Sequence, residues 1–226
     1  MKLIRTVMLS MSLIASASAS ATLIYNEDFS GSAGSLVSAG WSDSDNSNGL
    51  ELYRTNSASP RGMVGVYDHD NNPFTPDVAI VGALEVNDDA GNVQLMSEIF
   101  VMDQSVFSWE VGTLSFFAGV RKANAQGASV EVFNVTQNYS LTGLLTPALN
   151  PTAPKAKNTW SFNSFSFLWG NTQQGDELQL RFNGGGSTSA NGLQIADIAL
   201  TKVPTPGPLL LLGLGIIGLA LGKRRQ

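Results

Sequence analysis

Along most of this chain apolar and polar side chains alternate one by one, and that alternation predicts strands. In 113–121, Leu114, Phe116, Ala118 and Val120 share one face, with Thr113, Ser115 and Arg121 opposite. In 177–182, Leu178, Leu180 and Phe182 alternate with Glu177, Gln179 and Arg181. A repeat of two is that of a strand buried on one side. Segments 62–67, 77–86, 93–101, 128–135, 160–169 and 193–200 read as further strands, rich in β-branched and aromatic residues. Clusters of Asp, Asn, Gly and Pro separate them, at 43–49, 68–73, 87–91, 124–127 and 183–186. Segment 146–158, with Pro147, Pro151 and Pro154, reads as a long loop. Between the two chain ends no stretch keeps a sustained apolar face at the helical period. The prediction is an all-β, two-sheet antiparallel sandwich. Trp160 and Phe162 read as core packing.

The ends break the alternation. Lys2 and Arg5 precede an apolar run over 7–14, then the small-residue sites Ala17-Ser18-Ala19 and Ala19-Ser20-Ala21. This is the form of a removable signal peptide over 1–21. At the other end, Val203-Pro204-Thr205-Pro206-Gly207-Pro208 leads into an apolar run over 209–221, closed by Lys223, Arg224 and Arg225. Prolines keep the preceding segment extended, and the basic cluster stays on the cytoplasmic side. The apolar run is short beside the roughly 20 residues of an ordinary span, which favours a transient tag over a lasting anchor.

This tail resembles the PEP-CTERM sorting signal of Gram-negative bacteria. Val203, Pro204, Pro206, the 211–215 Leu/Gly stretch, Arg224 and Arg225 match, and Thr205 replaces the usual Glu. The resemblance implies export, recognition by a membrane-embedded exosortase and cleavage near the Pro-Thr-Pro. It also implies membrane association through a short transmembrane helix before processing, residence in the envelope, at the surface or in the matrix, and a link to exopolysaccharide and biofilm systems. The organisation expected is a signal peptide (1–21), one sandwich domain (22–202) and a sorting tail (203–226).

With the ends set aside, the charge changes. The whole chain carries −5, but all eighteen acids and only eight of the thirteen basic residues lie in 22–202, a net −10. Such a domain lacks the basic face that nucleic acid requires, and it suits divalent cations. There is no cysteine, so neither disulfides, thiolate metal sites nor a cysteine nucleophile can contribute.

A second resemblance concerns the domain itself. Ile24-Tyr25-Asn26-Glu27-Asp28-Phe29 is similar to the opening strand of jelly-roll carbohydrate-binding and galactose-binding-like modules. Trp160, Phe162, Phe165 and Phe167, then 176–182, then Gly192-Leu193-Gln194-Ile195-Ala196-Asp197-Ile198-Ala199-Leu200 resemble their closing strands. The resemblance implies a jelly-roll-like sandwich whose last strand returns beside the first. It further implies a structural calcium shared by Glu27 or Asp28 with Asp197. Asp197 reads equally well as the end of a ladder or the cap of a turn.

The remaining chemistry is sparse. Asp43, Asp45 and Ser47, and Asp68, Asp70 and Asn72, place oxygen at alternate positions of a loop, as calcium ligands are placed. Neither loop completes an EF-hand: Asn48 and Pro73 stand where Gly is needed, Arg54 and Ala79 where Glu is needed. The alternative is a solvated turn. His69 is the sole histidine and no Gly-x-Ser-x-Gly accompanies it, so a Ser–His–Asp triad is not indicated. Glu98, Glu110 and Glu131 share no spacing that pairs two of them for glycoside hydrolysis. Among the aromatics (Trp41, Trp109, Trp160, Trp169, Tyr53, Tyr67 and Tyr139), Trp41 and Tyr67 adjoin polar loops and are the expected sugar-stacking surface. Two functions follow as expectations: a non-catalytic exported protein binding exopolysaccharide or another glycan, or a secreted glycan-active enzyme.

Overall fold

The computed structural model describes residues 21–31, 33–44, 50, 52–54, 80–86, 94–120, 128–147, 159–184 and 193–203. The signal-peptide segment 1–20, the tail 204–226 with Pro204, Thr205, Pro206, Arg224 and Arg225, the strand expected at 62–67, and Tyr67, His69, Asp45, Ser47 and the 68–72 loop lie outside the described residues.

Within them the chain is an antiparallel two-sheet sandwich. One sheet runs β10 (Thr159–Leu168), β7 (Val111–Val120), β12 (Leu193–Val203), β4 (Gly82–Val86), β3 (Leu52–Arg54), with β1 (Thr22–Glu27) also on β12. The other runs β2 (Ser42–Asp43), β5 (Gln94–Met96), β11 (Glu177–Gly184), β8 (Ala128–Asn134), β9 (Tyr139–Ser140), with β6 (Phe100–Val101) also on β11. A seven-residue helix, α1 (Ala33–Ala39), lies between β1 and β2.

The alternation read from the chain is the alternation of burial. Leu114, Phe116 and Ala118 of β7, Leu178, Leu180 and Phe182 of β11, and Val130 and Val132 of β8 are buried. Phe116 meets Phe182 edge-on, centroids 6.0 Å apart at 87°. Without disulfides, this dispersion-rich, dry contact and the burial of apolar area hold the sheets together. The first and last strands are neighbours: Thr22 pairs Lys202 and Glu27 pairs Ile198. Val203 closes β12 opposite Val111, so the strand runs one residue into the segment expected as linker.

Four expectations need correction. The strand expected at 93–101 is interrupted, because Ser97 enters the ladder with its side chain: its Oγ accepts the Leu180 N–H at 2.9 Å and its carbonyl accepts Gln179 Nε2 at 3.0 Å. Of the strand expected at 77–86, residues 77–79 lie outside the described residues, Ile80 and Val81 are not in a strand, and β4 starts at Gly82, where a Cβ would strike the Phe29 carbonyl. Phe162 is 62 % exposed rather than packed, and Trp160 is buried on the outer side of its sheet, in a small cluster with Ile80, Ala83 and Ala196. Trp41 is 1 % exposed. Gly40, at φ 116°, ends α1 and turns the chain so that Trp41 packs edge-on against Phe29 at 5.4 Å.

Candidate functional site

The acids expected to share a cation are set by the meeting of the chain ends. β12 changes neighbour midway, from β4 at Leu193–Ile195 to β1 at Ile198–Lys202. Asp197 sits at the bulge between these parts, with φ 47°. Its carboxyl is raised by burial and then by the charge of Asp28. Asp28 is itself lowered by its hydrogen bonds to Ser30, whose N–H lies 2.8 Å from Oδ1. Glu27 accepts the Phe29 N–H at 2.7 Å and is raised chiefly by burial, with Asp28 and Glu98 adding repulsion. Asp197 therefore lies within electrostatic reach of Asp28, while Glu27 is engaged with the backbone. No group of three or more Asp, Glu or His that could hold a metal occurs among the described residues. The donor set fits a hard cation only as a carboxylate pair that backbone oxygens would have to complete.

Trp41 is in the core, so it cannot stack a sugar, and the exposed aromatics lie elsewhere. The connection from β6 to β7 crosses from one sheet to the other at one end of the sandwich. On it Phe107 is 58 % and Trp109 42 % exposed, with rings parallel within 7° and centroids 5.3 Å apart. A built frame holds this pair in water. Glu110 Oε2 accepts the Phe107 N–H at 2.8 Å, and the Glu110 N–H returns to the Phe107 carbonyl at 2.9 Å. Lys202 of β12 stands 3.2 Å from the same carboxylate and donates to the Ser105 carbonyl at 2.6 Å. Gln174 donates to the Asp103 carbonyl at 2.9 Å and takes the Ser105 hydroxyl at 3.1 Å.

The neighbouring turns are locked by one carboxylate. Asp176 Oδ2 accepts Asn134 Nδ2 at 2.8 Å, Gln137 Nε2 at 2.7 Å and the Gln173 N–H at 2.9 Å. Three donors on one buried oxygen offset the cost of its burial. They fix the 135–138 and 170–176 turns beside the aromatic connection.

The second sheet offers a polar outer face. Arg181 lies 3.4 Å over the Phe133 ring and donates to Gln179 at 3.0 Å, with Glu131 opposite it in the register. Gln94 donates to Asn183 at 2.6 Å beside them. Glu110 is thus engaged by Lys202 and Glu131 faces Arg181. Glu98, raised by burial, lies within electrostatic reach of Glu27 and Tyr25.

Phe107 was not singled out from the chain. Its signal was the Phe107-Ser108-Trp109-Glu110 run, two aromatics two apart before an acid. The partner that orients them, Lys202, is far away in sequence.

The chain matches no protein-family model and no curated protein in sequence. Similar solved structures include the K1 cleaved adhesin domain of Lys-gingipain from Porphyromonas gingivalis W83: 13 % identity, TM-score 0.45, 78 % of this chain and 96 % of that chain. The CBM22-1 xylan-binding domain of Paenibacillus barcinonensis Xyn10C is 12 % identical, TM-score 0.42, over 84 % of this chain and 99 % of that one. The enzymatically active domain of bacteriophage CBA120 tailspike protein 4 is 12 % identical, TM-score 0.40, over 72 % of this chain; the chain spans 19 % of that one. These likenesses are of shape and carry no inference about ligand or activity.

Proposed function

We propose that this is a non-catalytic exported protein that binds a glycan, an exopolysaccharide by preference, on the Phe107–Trp109 pair. The observation that carries the reading is the pair itself. Two large rings are held parallel and exposed by an ion pair and five hydrogen bonds in a connection that crosses the sandwich. A flat apolar surface of two exposed rings suits the apolar face of a sugar ring. Export, surface or matrix residence and exosortase sorting enter the proposal through the tail from Val203 to Arg225. Mass spectrometry of the protein from its native host should then find a C-terminus near Pro204–Pro206.

A glycan array followed by calorimetry on the full-length chain in mild detergent tests the binding. Trp109→Ala and Phe107→Ala should each abolish it while costing less than about 1 kcal/mol of stability. Binding that survives both and fails in Arg181→Ala would move the site to the polar face of the second sheet.

The second reading, a glycan-active enzyme, draws on Glu27 and Glu98. Both are raised by burial, and both sit within electrostatic reach of the buried Tyr25 hydroxyl. A protonated acid beside a second carboxylate is a requirement of such chemistry. Polysaccharide turnover lost in Glu98→Gln would establish it; binding without turnover supports the first reading.

A further inference from the structure

We propose that, while the tail is inserted, the end of the sandwich that carries Phe107 and Trp109 rests in the headgroup layer of a zwitterionic phospholipid bilayer. Three neighbouring strands have their ends together there. Leu168 of β10 pairs with Val111 of β7, and Val111 pairs with Val203 of β12. Directly paired residues share a face of a sheet, so the three side chains form one apolar row. Leu168 is 57 % exposed, and Val111 and Val203 are half-buried. The Trp169 N–H reaches the Glu110 carbonyl at 3.1 Å, which carries the pairing of β7 with β10 past Val111 toward Trp109. Trp109 and Phe107 add two exposed rings beside the row.

The chain itself selects the partner. β12 ends at Val203 in this row, and the apolar run 209–221 with its basic close follows. From position 203 to position 209 the chain spans at most about 20 Å. The far end of the ten-residue β7 lies about 30 Å away. A tail in lipid therefore holds the aromatic end of the domain at the bilayer surface. So short a tether gives an effective concentration on the order of millimolar, and weak interfacial affinity then suffices.

The side chains suit that layer. Tryptophan and other aromatics with a polar edge favour the membrane–water interface. None of the five side chains is charged, and the Glu110 carboxylate is held by Lys202 at 3.2 Å. The domain's net −10 repels anionic lipid and leaves zwitterionic lipid as the fitting surface. The contact rests on the tail's entry into lipid and goes beyond the glycan reading. Lipid competes with glycan for the same rings until the tail is removed.

The test uses the full-length chain reconstituted in phosphatidylcholine vesicles, with flotation reporting the tail. Trp41, Trp160 and Trp169 are buried, so Trp109 is the only exposed tryptophan of the four. Lipid with a nitroxide at its headgroup should quench part of the tryptophan emission, and Trp109→Phe should lose that part. Adding Phe162→Trp to Trp109→Phe moves the reporter to an exposed position six residues along β10 from Leu168, about 20 Å away. That reporter should escape the label. Leu168→Glu should reduce the quenching of Trp109 with an unchanged circular dichroism spectrum. Floating protein quenched equally in the parent and Trp109→Phe, or a reporter at position 162 quenched as strongly as Trp109, would overturn the contact and leave the glycan reading standing. Trp109 shielded from iodide yet untouched by the headgroup label would put protein rather than lipid on the rings, which also overturns it. A chain that does not float with the vesicles would overturn the contact together with the tail reading.

Discussion

Lys202 Nζ stands 3.2 Å from Glu110 Oε2, which also accepts the Phe107 N–H at 2.8 Å. The last strand therefore orients the aromatic turn through a charge 15 % exposed on one side and 8 % on the other. Removing one member of such a pair leaves the other charge buried and alone. Lys202→Met is expected to lower stability by about 2 kcal/mol, below the full cost of a deeply buried pair because Lys202 keeps some solvent. Glycan binding should fall with it. Adding Glu110→Gln, which removes the stranded charge, should recover part of the stability. Urea melts of the parent and the two variants measure this, and equal midpoints for Lys202→Met and the parent would show that the pair does not hold the turn.

Two tryptophans should behave in opposite ways. Trp41 is fully enclosed and touches Phe29, so Trp41→Ala should cost about 3–5 kcal/mol. Trp109 is 42 % exposed, so Trp109→Ala should cost less than about 1 kcal/mol while removing the platform. Thermal melts run beside ligand titrations separate them. A large stability loss at Trp109 would recast it as packing.

Particular residues show how far the chain could be read in advance. Leu178, Leu180 and Phe182 alternate with polar neighbours, and their burial follows from the repeat of two alone. β10 carries aromatics on both faces, so periodicity could not say that Phe162 points out and Phe165 in. Trp41 adjoins an acidic loop, and only the seven-residue helix and Gly40 turn carry it inward. That helix is too short to leave a periodic signal. The pairing of the last strand with the first was legible through resemblance to modules whose last strand returns beside the first. The Phe107–Trp109 platform depends on Lys202, a contact between distant positions that no local pattern encodes.

The acids at the strand junction set a pH dependence. Asp197, Glu27 and Glu98 are raised in the folded protein, chiefly by burial. In the window between their ordinary and raised values the native state binds more protons than the unfolded chain. Stability from these groups is therefore lost as pH rises through that window. Asp28 is lowered and contributes in the opposite sense, its share being lost as pH falls below the ordinary carboxylate range. Without divalent cations, the melting temperature should rise as pH falls from neutral toward the raised carboxylates and drop again below the ordinary range. Asp197→Asn should flatten the first limb and raise stability at neutral pH. A melting temperature that falls steadily from neutral pH downward would contradict the assignment.

Calcium should reverse that penalty. Asp28 and Asp197 repel one another across the junction of β1 and β12, and a cation seated between them favours the ionised form of both. It would also tie the two ends of a sandwich that has no disulfide. A ligand that binds only the native state stabilises by about 2.7 kcal/mol at a hundredfold excess over Kd, a melting shift of several degrees for a domain of this size. The informative variant is Asp197→Asn. Asp197 has φ 47°, a conformation that Asn tolerates and Ala resists, so Asn removes the charge without adding backbone strain. It is expected to melt higher than the parent in chelator and to lose the calcium response. Glu27→Gln should keep most of that response, because Glu27 is engaged with the Phe29 N–H. Differential scanning calorimetry on protein first shown to be metal-free by elemental analysis reads all three. An identical parent melt with calcium and with chelator would remove the site, and a response lost equally in Glu27→Gln would shift it toward Glu27.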